Sequence, residues 1–205
     1  MKQVKTILAA LMILSLVPGL NALDLKLGAG MNRPTDGDFR AVYGELVPAF
    51  EVRASIPFGD FLHFWLAADY LSAQGEIAEL QERLDYRQFA FSGGIGTSVP
   101  LSRKTRVVVQ AGIQQFLLEE RGFAEKISLS SFGFSAGMDL EWQASNALLL
   151  YLGSRYARGE TDHAGNKVLV GGPRLAAGIG FNLAGLFGNS AEKSAMSAAD
   201  ESPLN

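Results

Sequence analysis

Ten charged residues could do chemistry in this chain: Lys26, Glu45, Glu51, Arg53, Asp69, Arg106, Asp139, Glu141, Arg155 and Arg174. Each falls on the same side of a segment in which apolar and polar residues alternate. Acids and bases are mixed along that side. Brought together, they would form ion pairs and hydrogen-bonded networks, which is how proteins satisfy buried charge. The same residues around an open passage would instead make a narrow, gated ion path. Nucleophilic catalysis has less to work with. It needs a nucleophile and a base within hydrogen-bond reach, and the chain has 2 histidines, His63 and His163. Asp69 lies six positions after His63 on one extended run, roughly 20 Å away at about 3.3 Å per residue, so the two form no dyad. His163 stands with Glu160 and Asp162 in GETDHAGN. That group resembles a cation-catching loop less than an ordinary solvated one. Gly93, Gly94 and Gly96 sit within an alternating run and read as close packing, not as a nucleotide fingerprint. The residues therefore argue against an enzyme, and no cofactor or metal is expected.

The elements that hold these charges are strands. Phe132 to Trp142, FGFSAGMDLEW, is the clearest. Phe132, Phe134, Ala136, Met138, Leu140 and Trp142 form one face. Gly133, Ser135, Gly137, Asp139 and Glu141 form the other. Such period-two alternation marks a strand with different surroundings on its two sides. Eight runs of this kind follow one another: Leu23 to Met31, Val42 to Ile56, Leu62 to Ser72, Arg87 to Val99, Arg106 to Leu117, Ile127 to Trp142, Leu148 to Ala157 and Arg174 to Leu183. Short connections (Pro57 to Phe61, Pro100 to Thr105, Gln143 to Ala147) alternate with long polar ones (Asn32 to Ala41, Ala73 to Tyr86, Leu118 to Lys126, Arg158 to Pro173). In the second long connection, Ile77, Leu80 and Leu84 of EIAELQERL have helical spacing, which suits a short surface helix as well as a loop.

The uncharged face is bulky at nearly every position, and the charged face is rich in Gly, Ser and Ala. Small residues suit the narrow interior of an eight-stranded barrel. The apolar face then meets lipid, and the sheet must close, because no open edge survives in hydrocarbon. Tyr70, Phe132, Trp142, Tyr156 and Phe181 lie near strand ends and fit an interfacial aromatic girdle. The expected fold is all-β: an eight-stranded antiparallel up-and-down transmembrane β-barrel, a meander over residues 23–187. Residues 1–22 read as a secretory signal peptide, with basic Lys2 and Lys5, an apolar Ile7 to Val17 and small Ala22 at the cut. Residues 188–205 read as a disordered periplasmic tail.

Composition narrows the function. Charged residues are 19% of the chain, and the net charge of -3 argues against a nucleic-acid partner. Cys is 0, so there is no disulfide framework and no lipidated N-terminal Cys.

The pattern from Leu23 to Leu183 resembles the small outer-membrane barrel superfamily, the OmpA/OmpX/OmpW-like and opacity-type proteins. Gly178, Phe181 and Leu183 are similar to the targeting pattern that ends many such barrels, although Ala176 stands where a polar residue is usual. The resemblance implies the outer membrane of a Gram-negative-type bacterium, with outer-membrane lipid around the barrel and the barrel-assembly machinery as partner. The expected role is structural or surface-interacting, with the lumen plugged by the charged network and four long extracellular loops presented to an unknown ligand. The alternatives are a narrow porin-like channel, a lipid A-modifying enzyme on this fold, and a soluble lipocalin-like binder.

Overall fold

The computed structural model describes residues 23–59, 61–77, 82–122 and 125–183. The expected signal peptide and C-terminal tail lie outside them. Eight strands form a closed antiparallel barrel in sequence order: β1 (Asp24–Asn32), β2 (Val47–Phe58), β3 (Leu62–Ile77), β4 (Glu82–Pro100), β5 (Thr105–Gly122), β6 (Glu125–Gln143), β7 (Leu148–His163) and β8 (Asn166–Asn182). β1 closes the ring on β8, with Leu25 opposite Phe181 and Asn32 opposite Arg174. Closure leaves no sheet edge around the ring, while β3 beyond Leu71 and β8 before Arg174 extend past β1 and β2 and are paired with a strand on one side only.

The barrel has unequal ends. The near end holds Leu23, Asn182 and the short turns after β2, β4 and β6. At the far end the strands are longer than alternation within the membrane predicts. Most of the three long connections expected as loops are strand: β3 runs to Ile77 and β4 starts at Glu82, β5 runs to Gly122 and β6 starts at Glu125. β7 and β8 meet in a two-residue turn, where Ala164 and Gly165 both take positive φ (50° and 81°), the backbone of a tight hairpin. The surface helix considered around Glu76 to Leu84 does not form among its described residues, because Glu76–Ile77 pair with Glu82–Arg83 across the hairpin. Residues 78–81 of that stretch are outside the described ones.

The physical reason for the extension is an inversion of the two faces. Along β4 the outward row reads Arg83, Asp85, Arg87 and then Phe89, Phe91 and Ile95, while the inward row reads Leu84, Tyr86 and then Gln88, Ala90 and Ser92. Strand β6 repeats it: Lys126, Ser128 and Ser130 precede Phe132 and Phe134 outside, and Leu129 precedes Ser131 and Ser135 inside. Apolar-out with polar-in suits lipid, and polar-out with apolar-in suits water. The reversal marks where the barrel leaves the bilayer. Below it, the outward run Phe89 to Val99 of β4 is 11 residues long, and a bilayer-spanning strand needs about 9–11. Above it, the hairpins carry ion pairs in water: across strands Lys126 on Glu119 and Lys167 on Glu160, each at 2.6 Å, and along β5 Arg121 on Glu119 at 2.7 Å.

The first long connection is the exception. β1 stops at Asn32 and β2 begins at Val47, not at Val42 as the alternation suggests. Between them lies helix α1 (Gly37–Tyr43). Asp36 caps it, its carboxylate accepting from the backbone N–H groups of Asp38 and Phe39 at 2.9 and 3.0 Å.

Gly94 on β4 faces Gly112 on β5. A Cβ built at Gly94 would stand 2.1 Å from the Ala111 carbonyl oxygen. Gly94→Val therefore forces two paired strands apart. Overpacking of this kind costs about 1–3 kcal/mol, so the variant is expected to refold in lower yield, read as the folded fraction by gel mobility without heating.

Candidate functional site

Nine of the ten charged residues named from the sequence line the interior. Lys26, Glu51, Arg53, Asp69, Asp139, Glu141, Arg155 and Arg174 are buried, and Arg106 is partly so. Glu45 is the correction. It lies beyond the barrel, between α1 and β2, with its side chain 63% exposed and paired with Arg33 at 2.9 Å and Arg40 at 3.4 Å. The hydrogen bond from Arg33 holds its carboxyl below the usual range. Alternation put Glu45 inward, but the strand has not yet begun there, so its parity carries no meaning.

The interior charges form a ladder of alternating sign that climbs from the near end. Arg106 donates to Asp24 at 2.9 Å and to Glu141 at 2.6 Å. Glu141 is bound by Lys26, which also reaches Asp139 at 3.4 Å. Asp139 is bound by Arg53, whose other nitrogen donates to Glu51 at 2.7 Å. Glu51 accepts from the Tyr151 hydroxyl at 2.8 Å and faces Arg155 and Arg174 at 3.5 and 3.6 Å. Arg174 then reaches Asp69 at 2.9 Å. The Arg155 guanidinium lies 5.5 Å from the Trp65 ring centre, a cation–π contact inside the barrel. Each carboxylate on this path touches at least one guanidinium or ammonium, which offsets the desolvation of both.

Sequence reasoning missed Asp24, Tyr151 and Trp65 as members. Their inward parity was readable, but a strand's first residue and two aromatics gave no charge pattern to follow. The pairings were not readable either. Lys26 and Glu141 stand 115 positions apart and meet only across the lumen.

The ladder divides the interior. At the near end a cavity of about 230 Å³ lies against Asp24, His63, Arg106 and Glu141. At the far end a cup of about 670 Å³ opens above Gln88. Between them, voids against Gln114 and Phe116, and against Glu51 and Arg53, hold about 10 Å³ each, room for about one water at most. His63 faces the near cavity. His163 lies at the end of β7 on the lip of the cup, and its neighbour Glu160 binds Lys167 instead. Among the described residues no group of His, Asp and Glu is placed to hold a metal ion.

The aromatics named for a girdle all point outward. Phe132 is 70% exposed, Trp142 47% and Tyr156 38%, with Tyr70 and Phe181 half-buried. Tyr70, Phe132 and Tyr156 sit at the far boundary and Trp142 and Phe181 at the near one. Tyr70 rests on Phe89, ring centres 4.9 Å apart. Phe58, Phe61 and Phe64 add an aromatic group at the near end beyond the five named for the girdle, with Phe58 and Phe64 5.2 Å apart.

No protein-family model matches the sequence, and the search of curated proteins finds no match. The architecture does match solved structures. Neisserial surface protein A superposes with a TM-score of 0.63 at 10% identity, covering 78% of this chain and 96% of that one. The fold is that of the small outer-membrane β-barrels. The outer membrane protein OprG from Pseudomonas aeruginosa has the same barrel, with a TM-score of 0.54 at 12% identity over 78% of this chain and 94% of that one. At such identities the likeness speaks for the barrel and not for what it binds. Within the outer-membrane barrel fold, the exposed apolar belt is the surface that faces lipid.

Proposed function

We propose that this protein is an outer-membrane barrel with a closed lumen, and that its work is done at the far end, which projects from the cell surface. The near end, with both strand termini and the short turns, faces the periplasm. The observation that carries this reading is the ion-pair ladder. A lumen crossed by Arg53, Glu51, Arg155, Arg174 and Asp69 in mutual contact leaves no path for hydrated ions. The role is structural or surface-interacting, and no catalytic step is assigned, since His63 and Asp69 belong to separate levels of the lumen. The targeting pattern at Gly178 and Phe181 supports the barrel-assembly machinery as the partner that inserts it.

Conductance in a planar bilayer tests the closed lumen. The refolded protein is expected to give no single-channel steps. Arg53→Ala combined with Arg155→Ala removes two of the guanidiniums that fill the section, leaves carboxylates that draw in water, and is expected to conduct cations in small steps. Reproducible steps from the unaltered protein would overturn the reading in favour of a narrow channel.

A further inference from the structure

Above the ladder the barrel changes character. The cup at the far end encloses about 670 Å³, within the range of about 300–1,000 Å³ typical of small-molecule sites. Its walls are the inverted inner face: Leu84, Tyr86, Leu118, Leu129, Val168 and Val170. The polar groups at its base are the side-chain amides of Asn32 and Gln88, both buried, and Gln88 accepts from the Tyr86 hydroxyl at 2.8 Å. One charge stands within the walls, Glu120, half-buried opposite Tyr86 and beside Tyr43; the others, Asp36, Asp38, His163 and Lys167, stand at the lip. An ion drawn inside would lose its water and find at most the single half-buried carboxylate of Glu120 on the walls, at heavy cost. An uncharged molecule would not.

One side of the cup is built differently. Because β1 and β2 stop at Asn32 and Val47, the wall between β8 and β3 is cut down almost to the membrane line. The following segment bridges part of the gap, Arg33 and Thr35 donating backbone N–H groups to Pro173 and Gly171 at 2.9 Å each. Helix α1 fills the rest. Phe39 and Tyr43 lie on Tyr86, with ring centres 4.6 and 5.5 Å away. Burial, with the Glu120 charge beside it, pushes the Tyr43 hydroxyl well above its ordinary pKa, so it stays a neutral donor. The helix fits because β3 has no side chain beneath it: a Cβ at Gly75 would stand 2.7 Å from both the carbonyl oxygen and a methyl of Val42.

From this geometry we propose that the cup is a binding site for an uncharged, largely apolar small molecule with a hydrogen-bonding group at one end, and that α1 forms one of its walls. The proposal deepens the reading of the far end as the working surface. The apolar body packs on Leu118, Val170 and the Tyr86 ring. The polar end meets the amides of Asn32 and Gln88. Two sources share this chemistry: a free molecule such as a hydroxylated aromatic, and the acyl chain of a lipid. The walls above the membrane line are charged outside, which favours the free molecule.

The chain has no cysteine, so single thiols report without background. V170C and L118C, each in the refolded full-length barrel, place a thiol inside the cup, and R87C places one on the outer wall at a similar height. The readout is the rate of alkylation by iodoacetamide, with 2-naphthol or a short-chain phosphatidylcholine as the added probe. Saturable slowing of V170C and L118C by 2-naphthol, about tenfold at ten times its dissociation constant by mass action, with R87C unaffected, supports the proposal. No slowing of either thiol, or equal slowing of R87C, overturns it. Slowing by the phospholipid alone overturns the free-molecule assignment. G75V, which pushes α1 off β3, is expected to raise the alkylation rate of V170C and weaken protection; an unchanged rate would overturn α1 as the wall. A conducting barrel would sink the closed-lumen reading without altering these rates, so the two failures are distinguishable.

Discussion

Glu51→Ala is expected to destabilise the folded barrel by about 3–5 kcal/mol, the cost of stripping the partner from buried charge. Glu51 is the densest node of the ladder. It accepts from Arg53 at 2.7 Å and from Tyr151 at 2.8 Å, and it faces Arg155 and Arg174 at 3.5 and 3.6 Å. Without it, three guanidiniums share a section of the lumen with Asp69 and Asp139 as the remaining acids. The variant has two ways to respond: the cations repel and the barrel loosens, or water enters to solvate them. Both appear as a lower urea midpoint for unfolding from lipid vesicles. Glu51→Gln keeps the shape and the acceptor from Tyr151 but not the charge, and it is expected to lose nearly as much. If both variants unfold at the wild-type midpoint, the ladder is not what holds the lumen together.

Ile113→Arg is the second large effect. Ile113 lies in the middle of the outward row of β5, between Val109 and Leu117, and is 72% exposed. A cation on the lipid face of a barrel costs about 2–4 kcal/mol at the bilayer midplane and falls toward zero at the interfaces. The same change at Ser128, on the outward row of β6 and above the reversal of faces, meets water. It is expected to stay within about 0.5 kcal/mol of wild type. Unfolding from vesicles measures both. The contrast between the two positions tests the membrane boundary itself: equal effects would mean that the belt around Phe134, Met138 and Ile113 does not sit in hydrocarbon.

The two substitutions probe opposite faces of the same strands, and that division explains what could be read in advance. Alternation is a local property. A side chain's face follows from its parity along an extended backbone, so Asp139 and Glu141 inside, with Met138 and Leu140 outside, were legible from FGFSAGMDLEW alone. Eight such runs with alternating short and long connections are enough for an up-and-down barrel, because sequential antiparallel strands pair with their neighbours. The chemical contrast between the faces was also enough to place lipid outside.

Parity fails where the strand itself ends, and the ends are decided by the assembled barrel. Val42 and Glu45 carry the alternation past the start of β2, into α1 and the residues that join it to β2. At the other hairpins the error runs the other way. Arg83, Asp85, Glu119 and Lys126 look like loop residues, and Ile77 with Leu84 looks like a helix face. Only when neighbouring strands are in register do their inward partners, Leu84, Tyr86, Leu118 and Val170, bury one another and keep the hairpins extended.

The sequence by itself determined the strand order, the two faces and nine of the charges that enter the lumen, since each depends on neighbours in the chain. The tertiary structure alone decided which acid meets which base, that Asp24 and Tyr151 join them, and that a cup walled by α1 stands above the membrane. Those features depend on contacts across a closed ring, between residues as distant as Lys26 and Glu141, and no local pattern encodes them.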